Sequence, residues 1–151
     1  MSRPDLEPLR EILHAALKRY LTVRPRGFEL DPGETPRAAI TARILNTGAA
    51  RTLYQHRKPA CRSLDGVHPL EAPQRTCAQC RLRAQCTPQV RLDLFVDARP
   101  FRLLLAHTSA RNFLAYDARL RHRGLALEDR LHHLTVTNRG SWGELRFRLK
   151  D

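Results

Sequence analysis

The four cysteines of this 151-residue chain lie close together in one short segment. Cys61, Cys77, Cys80 and Cys86 follow the pattern C-x15-C-x2-C-x5-C. A C-x-x-C pair lets two thiolates from one tight turn reach a single Zn²⁺, and a second pair completes the tetrahedron. The spacing therefore predicts a zinc site with Cys77 and Cys80 in the turn and the other two cysteines closing it. Because four thiolates leave no position for water, the predicted Zn²⁺ is structural and not catalytic.

Disulfides and redox chemistry are the other uses open to these thiols. No secretory signal precedes them, and the cytosol keeps thiols reduced, which disfavours disulfides. A thioredoxin-like pair needs a strand before the C-x-x-C and a helix after it, and the sequence predicts neither. His56 or His68 is close enough in sequence to replace one cysteine as a ligand. Structural zinc is the interpretation that spacing and context favour.

The charge of the chain indicates the class of partner. Lysine and arginine number 27 against 15 acidic residues, which gives a formal net charge of +12 and a pI near 10.9. A charge of this size attracts polyanions, most often nucleic acid. No apolar run approaches the roughly 20 residues that cross a bilayer, and the N-terminus lacks a signal peptide's apolar centre. We therefore expect a cytoplasmic protein that makes no contact with a membrane.

Residue types suited to catalysis are scarce. No H-E-x-x-H, glycine-rich phosphate loop or G-x-S-x-G motif occurs. His132 and His133 are adjacent on a predicted strand, so they point to opposite faces and do not share a metal. Thr108 and Ser109 are better placed to cap a helix than to act as nucleophiles. The sequence therefore predicts no catalytic residues and no enzymatic activity.

Apolar periodicity predicts the elements that position these residues. An i, i+3, i+4, i+7 stripe predicts an amphipathic helix over residues 1–23, and prolines and glycines mark residues 24–37 as a linker. Alternation then predicts a first hairpin that turns near Gly48. Further strands are predicted at 90–97, 100–107, 132–138 and 144–150.

One further helix is predicted between the last two pairs of strands. Thr108 or Ser109 is its N-cap and Gly124 its C-terminal stop. Its buried stripe is predicted to include Ala110, Phe113, Leu114 and Leu120. This order of elements predicts a mainly β, α+β fold, with a small OB-like Greek-key barrel over residues 38–151 and a zinc lobe at 59–88. A two-layer α+β sheet fits the same order less well.

The closing strand alternates apolar and cationic residues. Leu145, Phe147 and Leu149 are predicted to face the core, and Arg146, Arg148 and Lys150 to face away from it. Phe101 is also predicted to be a core residue, whereas Phe95 lies opposite the leucines of its strand. Aromatic side chains matter because bases stack on them. We predict nucleic-acid contacts by Tyr54, Arg57, Lys58, Arg62, Arg81, Arg83, Trp142, Arg146 and Arg148.

A pattern of residues between positions 52 and 138 resembles a group of small phage and mobile-element proteins. It comprises Cys61 with Ser63, Asp65 and Gly66, the pair Cys77 and Cys80, Cys86, and Thr108-Ser109 with Tyr116 and Gly124. Those proteins pair a four-cysteine zinc module with an OB-like domain and are regarded as single-stranded DNA-binding proteins. The resemblance implies the same activity here, in the nucleoid or in a phage-infected cell. The segment between Cys80 and Cys86 is shorter than in that group.

The sequence thus predicts a non-enzymatic, sequence-nonspecific protein that binds single-stranded DNA or RNA. Arginines would neutralise phosphates in a groove, and aromatic faces would stack bases. The alternative is a small non-catalytic subunit of a larger nucleoprotein complex, with the N-terminal helix docked on a protein partner. A metalloenzyme is the least supported interpretation, because four cysteines leave no open metal position.

Overall fold

The computed structural model of the protein describes residues 19–150. Most of the helix predicted for residues 1–23 therefore lies outside the described residues. Eight strands and one α-helix follow in chain order: β1 Thr22–Arg24, β2 Gly27–Glu29, β3 Ala39–Gln55, β4 Lys58–Ser63, β5 Thr87–Val96, β6 Arg99–Leu105, α1 His107–His122, β7 Leu131–Asn138 and β8 Gly143–Leu149. The prediction of a mainly β protein with one helix before the closing hairpin is confirmed for these residues.

Strand β3 joins the two halves of the main antiparallel sheet. Residues 39–43 pair with β7, residues 43–52 with β5, and residues 51–55 with β4. The strand order is β6-β5-β3-β7-β8, with β4 beside β3 off this path. Within residues 19–150, β6 and β8 do not pair with each other, so the sheet is open.

The predicted turn near Gly48 is wrong, because β3 continues through that position. A register shift between Ile44 and Asn46 bends the strand, and Gly48 then pairs with Arg91 of β5. A β-bulge of this kind increases the local twist of a strand. One long bent strand, β3, therefore pairs with both β5 and β7, where alternation alone predicted a hairpin.

The predicted linker is a packed element. β1 and β2 form a two-stranded sheet, and Phe28 exchanges backbone hydrogen bonds with Arg37 at 2.7 and 2.8 Å. Phe28 is fully buried and Leu30 is 3% exposed. Proline and glycine content predicted a connection, but burial of these two apolar side chains stabilises a hairpin there.

The core lies between one face of the main sheet and α1. Four strands of this sheet contribute completely buried apolar side chains: Ile44, Leu92, Leu94, Phe101 and Leu134. Phe113 of α1 packs edge-on against Phe147 of β8, with ring centroids 5.4 Å apart. The core assignments of Phe101 and Phe147 are confirmed.

Helix α1 ends as predicted and begins differently. Gly124 has a positive φ of +71. Its N–H donates to the carbonyl of Arg121, and the N–H of Leu125 donates to the carbonyl of Leu120. These two hydrogen bonds form a Schellman motif. At the N-terminus, Ala106 is the cap residue and no side chain caps the helix. The predicted cap is wrong because Ser109 is buried, where its Oγ accepts from the N–H of Leu145 at 3.0 Å.

The buried face of α1 differs from the predicted stripe at one position. Leu114 is 51% exposed, and Tyr116 is buried instead. The Tyr116 hydroxyl lies 2.5 Å from Nδ1 of His132, and Nε2 of His132 lies 2.8 Å from the carbonyl of Leu127. A carbonyl only accepts, so Nε2 donates to it and Nδ1 accepts from the tyrosine. His132 is buried, and His133 faces the other side of the strand, as predicted.

No helix within residues 19–150 combines the length and apolar character required to cross a membrane.

Candidate nucleic-acid interface and cysteine lobe

The alternation predicted for the closing strand is confirmed. Leu145 and Phe147 are 3% and 8% exposed and lie in the core, with Leu149 partly buried against it. Arg146, Arg148 and Lys150 are exposed. The cationic residues of β8 therefore lie on the face of the sheet that points away from the core.

Strand register extends this cationic surface across three strands. Thr41 of β3, His133 of β7 and Arg148 of β8 lie side by side, and Arg43 pairs with Leu131 in the next row. Arg43 is exposed, and Leu131 is 43% exposed. We call the four residues Arg43, His133, Arg146 and Arg148 the basic face. The sequence prediction missed Arg43 and His133, because only the pairing register places them beside β8.

The two arginines of β8 differ in their surroundings. The Nε of Arg146 donates to Glu144 at 3.1 Å, and Arg139 donates to the same carboxylate oxygen at 3.1 Å. Hydrogen bonds from Arg139 and then Arg146 lower the pKa of the Glu144 carboxyl. Arg146 is thus partly neutralised, whereas Arg148 has no ion pair among the described residues. Arg148 therefore carries the less neutralised charge of the two.

The predicted contacts Tyr54, Arg57 and Lys58 lie at the turn between β3 and β4. Tyr54 is 45% exposed, and its hydroxyl accepts a hydrogen bond from Nε2 of Gln89 at 3.3 Å. His56 and Arg57 occupy the turn with φ angles of 52 and 65. Positive φ at both central residues matches the twist of a tight hairpin. The ring of Tyr54 is therefore exposed while its hydroxyl is fixed.

The cysteine lobe, residues 59–88, adjoins this turn. Cys61 on β4 pairs with Leu53, and Thr87, the residue after Cys86, pairs with Thr52. Cys86 is extended, with φ −73 and ψ 140. Since side chains alternate along strands, Cys61 and Cys86 lie on the same face, on either side of Leu53. The sheet therefore brings together the first and last cysteines of the segment.

The other two cysteines lie in a tight turn, as their spacing predicted. The N–H of Cys80 donates to the carbonyl of Cys77 at 3.1 Å, and the N–H of Cys77 donates to Val67 at 2.6 Å. Burial raises the pKa of the Cys61 thiol to about 11, together with a hydrogen bond to Glu71. The charges of Cys86 and Cys77 contribute to the same rise. All four thiols are free of disulfides.

The donor set of the lobe suits Zn²⁺, although its side chains are not gathered around one point. No group of three or more histidine, cysteine or acidic side chains in residues 19–150 has the geometry to hold a metal ion. Cys61 and Cys86 share one face, and Cys77 and Cys80 share one turn, so the four thiols occur as two pairs. His68 is engaged elsewhere, because its Nδ1 lies 2.8 Å from Asp65.

The start of the lobe is organised by Asp65. Its Oδ1 accepts from the Oγ of Ser63 at 2.9 Å and from the N–H groups of Val67 and His68, both at 2.7 Å. These hydrogen bonds, with that of the His68 backbone the largest, hold the pKa of Asp65 well below its usual range. Gly66, at φ +75, completes the turn. The Asp65 carboxylate is therefore occupied by structural contacts within this turn.

Arg62, Arg81 and Arg83 were predicted as contacts in the lobe and occupy different surroundings. The guanidinium of Arg62 lies 4.6 Å from the ring centroid of Tyr20, and its buried Nε has no hydrogen-bond partner among the described residues. Arg81 and Arg83 are exposed beside the cysteine turns. Arg62 therefore packs against the N-terminal segment, and the other two point to solvent.

The predicted contacts thus fall into two groups at opposite ends of β3. The basic face adjoins residues 39–43, and the Tyr54 turn with the cysteine lobe adjoins residues 51–55. Trp142, 45% exposed, lies in the turn between β7 and β8, where its carbonyl accepts from the N–H of Arg139 at 2.9 Å.

No family model, curated protein or solved structure matches the chain.

Proposed function

We propose that the protein binds single-stranded nucleic acid, without sequence preference, through the basic face. The observation that carries this proposal is the row formed by Thr41, His133 and Arg148, with Arg43 and Arg146 exposed on either side. Cations spaced along neighbouring strands suit a phosphate backbone, and the net charge of +12 draws a polyanion to the surface.

The strand order supports an OB-type interpretation of the fold. One long strand pairs with both β5 and β7, and α1 connects β6 to β7. An OB fold is a partly open, five-stranded Greek-key barrel that binds oligonucleotides on a strand face and its flanking loops. In this interpretation the cysteine lobe and the Trp142 turn are flanking loops.

The outer face of β5 and β6 is filled by protein side chains. The Nε of Arg102 donates to Asp93 at 3.2 Å, and both residues are 6% exposed. A buried, paired arginine is not free to meet a phosphate without losing that pair. This favours the outer face of β3, β7 and β8 over that of β5 and β6 as the binding surface.

The zinc site is part of the proposal. Cys61, Cys77, Cys80 and Cys86 would hold the ion, which would supply order to a lobe with little apolar core. Val67 and Leu70 of this lobe are 50% and 51% exposed, so its own side chains bury little surface. Binding free energy of a structural metal acts as folding free energy. The ordered lobe would present Arg81 and Arg83 beside the Tyr54 turn.

The decisive experiment is filter binding of single-stranded DNA, duplex DNA and RNA at several salt concentrations. We expect single strands to bind most tightly, and the logarithm of affinity to fall linearly with the logarithm of salt concentration. Equal affinity for duplex DNA would contradict the single-strand preference. Absence of binding by folded protein at low salt would contradict the function and favour a subunit of a larger complex.

A further inference from the structure

A cleft of about 560 Å³ opens where β6 and β8 diverge. Its lining includes Leu104 and Leu105 at the end of β6, Trp142 and Leu145 at the start of β8, and Val23 of the β1–β2 hairpin. Its volume lies within the range of roughly 300–1,000 Å³ typical of small-molecule sites. The open sheet therefore leaves a pocket between its two edges.

The absence of a side chain at one glycine allows two elements beside the cleft to approach each other closely. A Cβ on Gly143 would lie 2.6 Å from the carbonyl oxygen of Arg24 and 2.6 Å from Val136. No real Cβ approaches a backbone oxygen so closely, so only glycine lets β8 meet the N-terminal hairpin here. Trp142 precedes this contact directly, which fixes the position of its backbone at the entrance of the cleft.

The chemistry of the cleft is apolar with cationic and hydroxyl groups at its margin. Arg24, His107, Thr108, Ser109 and Ser141 are its polar lining residues, and no carboxylate lines it among the described residues, although Arg24 is paired with Glu29 at 3.3 Å. His107 has φ +51, a strained backbone for a residue other than glycine. Such strain often marks functional sites. A ligand with a planar, apolar ring and an attached anionic group fits this lining better than a cation does.

We propose that this cleft receives a nucleobase of the bound strand, stacked on the indole of Trp142. The inference rests on the proposed function and adds a base-binding subsite to it. Trp142 is 45% exposed, so part of its ring is available to a ligand. The turn that carries it leads directly into β8, the strand that also carries Arg146 and Arg148. Base–aromatic stacking tolerates any sequence, which agrees with binding that has no sequence preference.

Trp142 makes the inference directly measurable, because it is the only tryptophan of the chain. Intrinsic fluorescence therefore reports on the cleft alone. We expect quenching by an oligothymidine strand and also by free thymidine monophosphate. A strand of the same length built from abasic nucleotides keeps the phosphates and lacks the bases. It should bind at least about fivefold more weakly and leave the emission unchanged.

Two matched pairs of variants test the site by filter binding. Ala106→Phe places a phenyl ring inside the cleft, and Ala115→Phe places the same ring on the exposed side of α1. The first should weaken oligothymidine binding at least about fivefold, and the second should bind like the parent. Trp142→Ala should show the same loss as Ala106→Phe, whereas Trp142→Phe should retain most of the affinity because a ring remains.

The outcomes separate this inference from the proposed function. If oligothymidine binds but neither quenches Trp142 nor responds to Ala106→Phe, the base subsite is overturned and the function stands. Equal affinity of the abasic strand overturns the subsite in the same way. If folded parent protein binds no single strand at low salt, the proposed function fails and the subsite fails with it.

Discussion

Gly48 of β3 lies directly opposite Arg91 of β5, and a Cβ on Gly48 would come within 2.8 Å of the Arg91 guanidinium. The missing side chain lets Arg91 cross β3 and donate to the carbonyl of Leu64 at the start of the cysteine lobe. Only 15% of the Arg91 side chain is exposed, and its Nε lies 3.6 Å from Asp93. This contact ties the lobe to the sheet.

We expect Gly48→Ala to lower the free energy of unfolding by about 1 kcal/mol. The methyl group displaces Arg91 from Leu64, a loss of about 1.5–3 kcal/mol for a charged hydrogen bond. Alanine recovers about 0.5–1 kcal/mol of that loss, because glycine weakens a strand interior. Urea denaturation measures the difference. In an Arg91→Ala background the same substitution should become stabilising, and a lower stability in that background would contradict the role of Arg91.

The purified protein should contain about one zinc ion per chain. Cys77→Ser and Cys80→Ser should each reduce metal content and thermal stability together, because metal binding supplies folding free energy to the lobe. Elemental analysis and thermal denaturation measure the two effects. Gln79→Ala lies in the same exposed turn and should leave both unchanged. Protein prepared without chelators that contains no zinc would disprove the site.

Arg148→Ala should weaken single-strand binding equally for all sequences and reduce the salt slope by about 0.7. Arg146→Ala should have a smaller effect, since Glu144 already neutralises part of that charge. Filter binding at several salt concentrations measures both. Arg121→Ala is the control, because Arg121 is 71% exposed on α1, away from the basic face. A slope change as large in the control as in Arg148→Ala would show a general charge effect.

Stability should fall as the pH is lowered below about 6.5, the ordinary pKa of histidine. Burial lowers the pKa of His132 in the folded state. The unfolded chain therefore binds more protons than the folded protein in this range, and acid favours unfolding. Urea denaturation at pH 7.5 and pH 5 measures the loss, which His132→Gln should reduce. His133→Gln, on the opposite face of β7, should retain the full dependence.

Deletion of residues 1–36 should unfold the protein. It removes the β1–β2 hairpin with Phe28, which is fully buried. Loss of one buried phenylalanine typically costs about 3–5 kcal/mol. Phe28→Ala alone should therefore lower stability by an amount in that range, as measured by urea denaturation. A stable, folded product of this deletion would show that the hairpin is dispensable.

Local pattern predicted most of the strands and the inward residues of β8. Alternation predicted that Leu145 and Phe147 face the core, because the direction of each side chain depends only on its position in its own strand. The path of β3 was missed, since Gly48 is required by its contact with Arg91 across the sheet and not by a turn. His133 and Arg43 joined the basic face only through pairing register. Phe28 sits among prolines and glycines, so its burial depends on tertiary contacts that composition does not show.

The central position of β3 has a consequence for the order in which the sheet assembles during synthesis. Ala39 pairs with Thr135, a partner much nearer the end of the chain, whereas β5–β6 and β7–β8 are hairpins between neighbouring strands. Contacts between distant parts of a chain form slowly because a long loop must close first. While the ribosome is still making β7, residues 39–43 have no partner on that side. The nascent protein therefore carries this edge of β3 unpaired, with Ile40 and Ala42 uncovered, until β7 emerges.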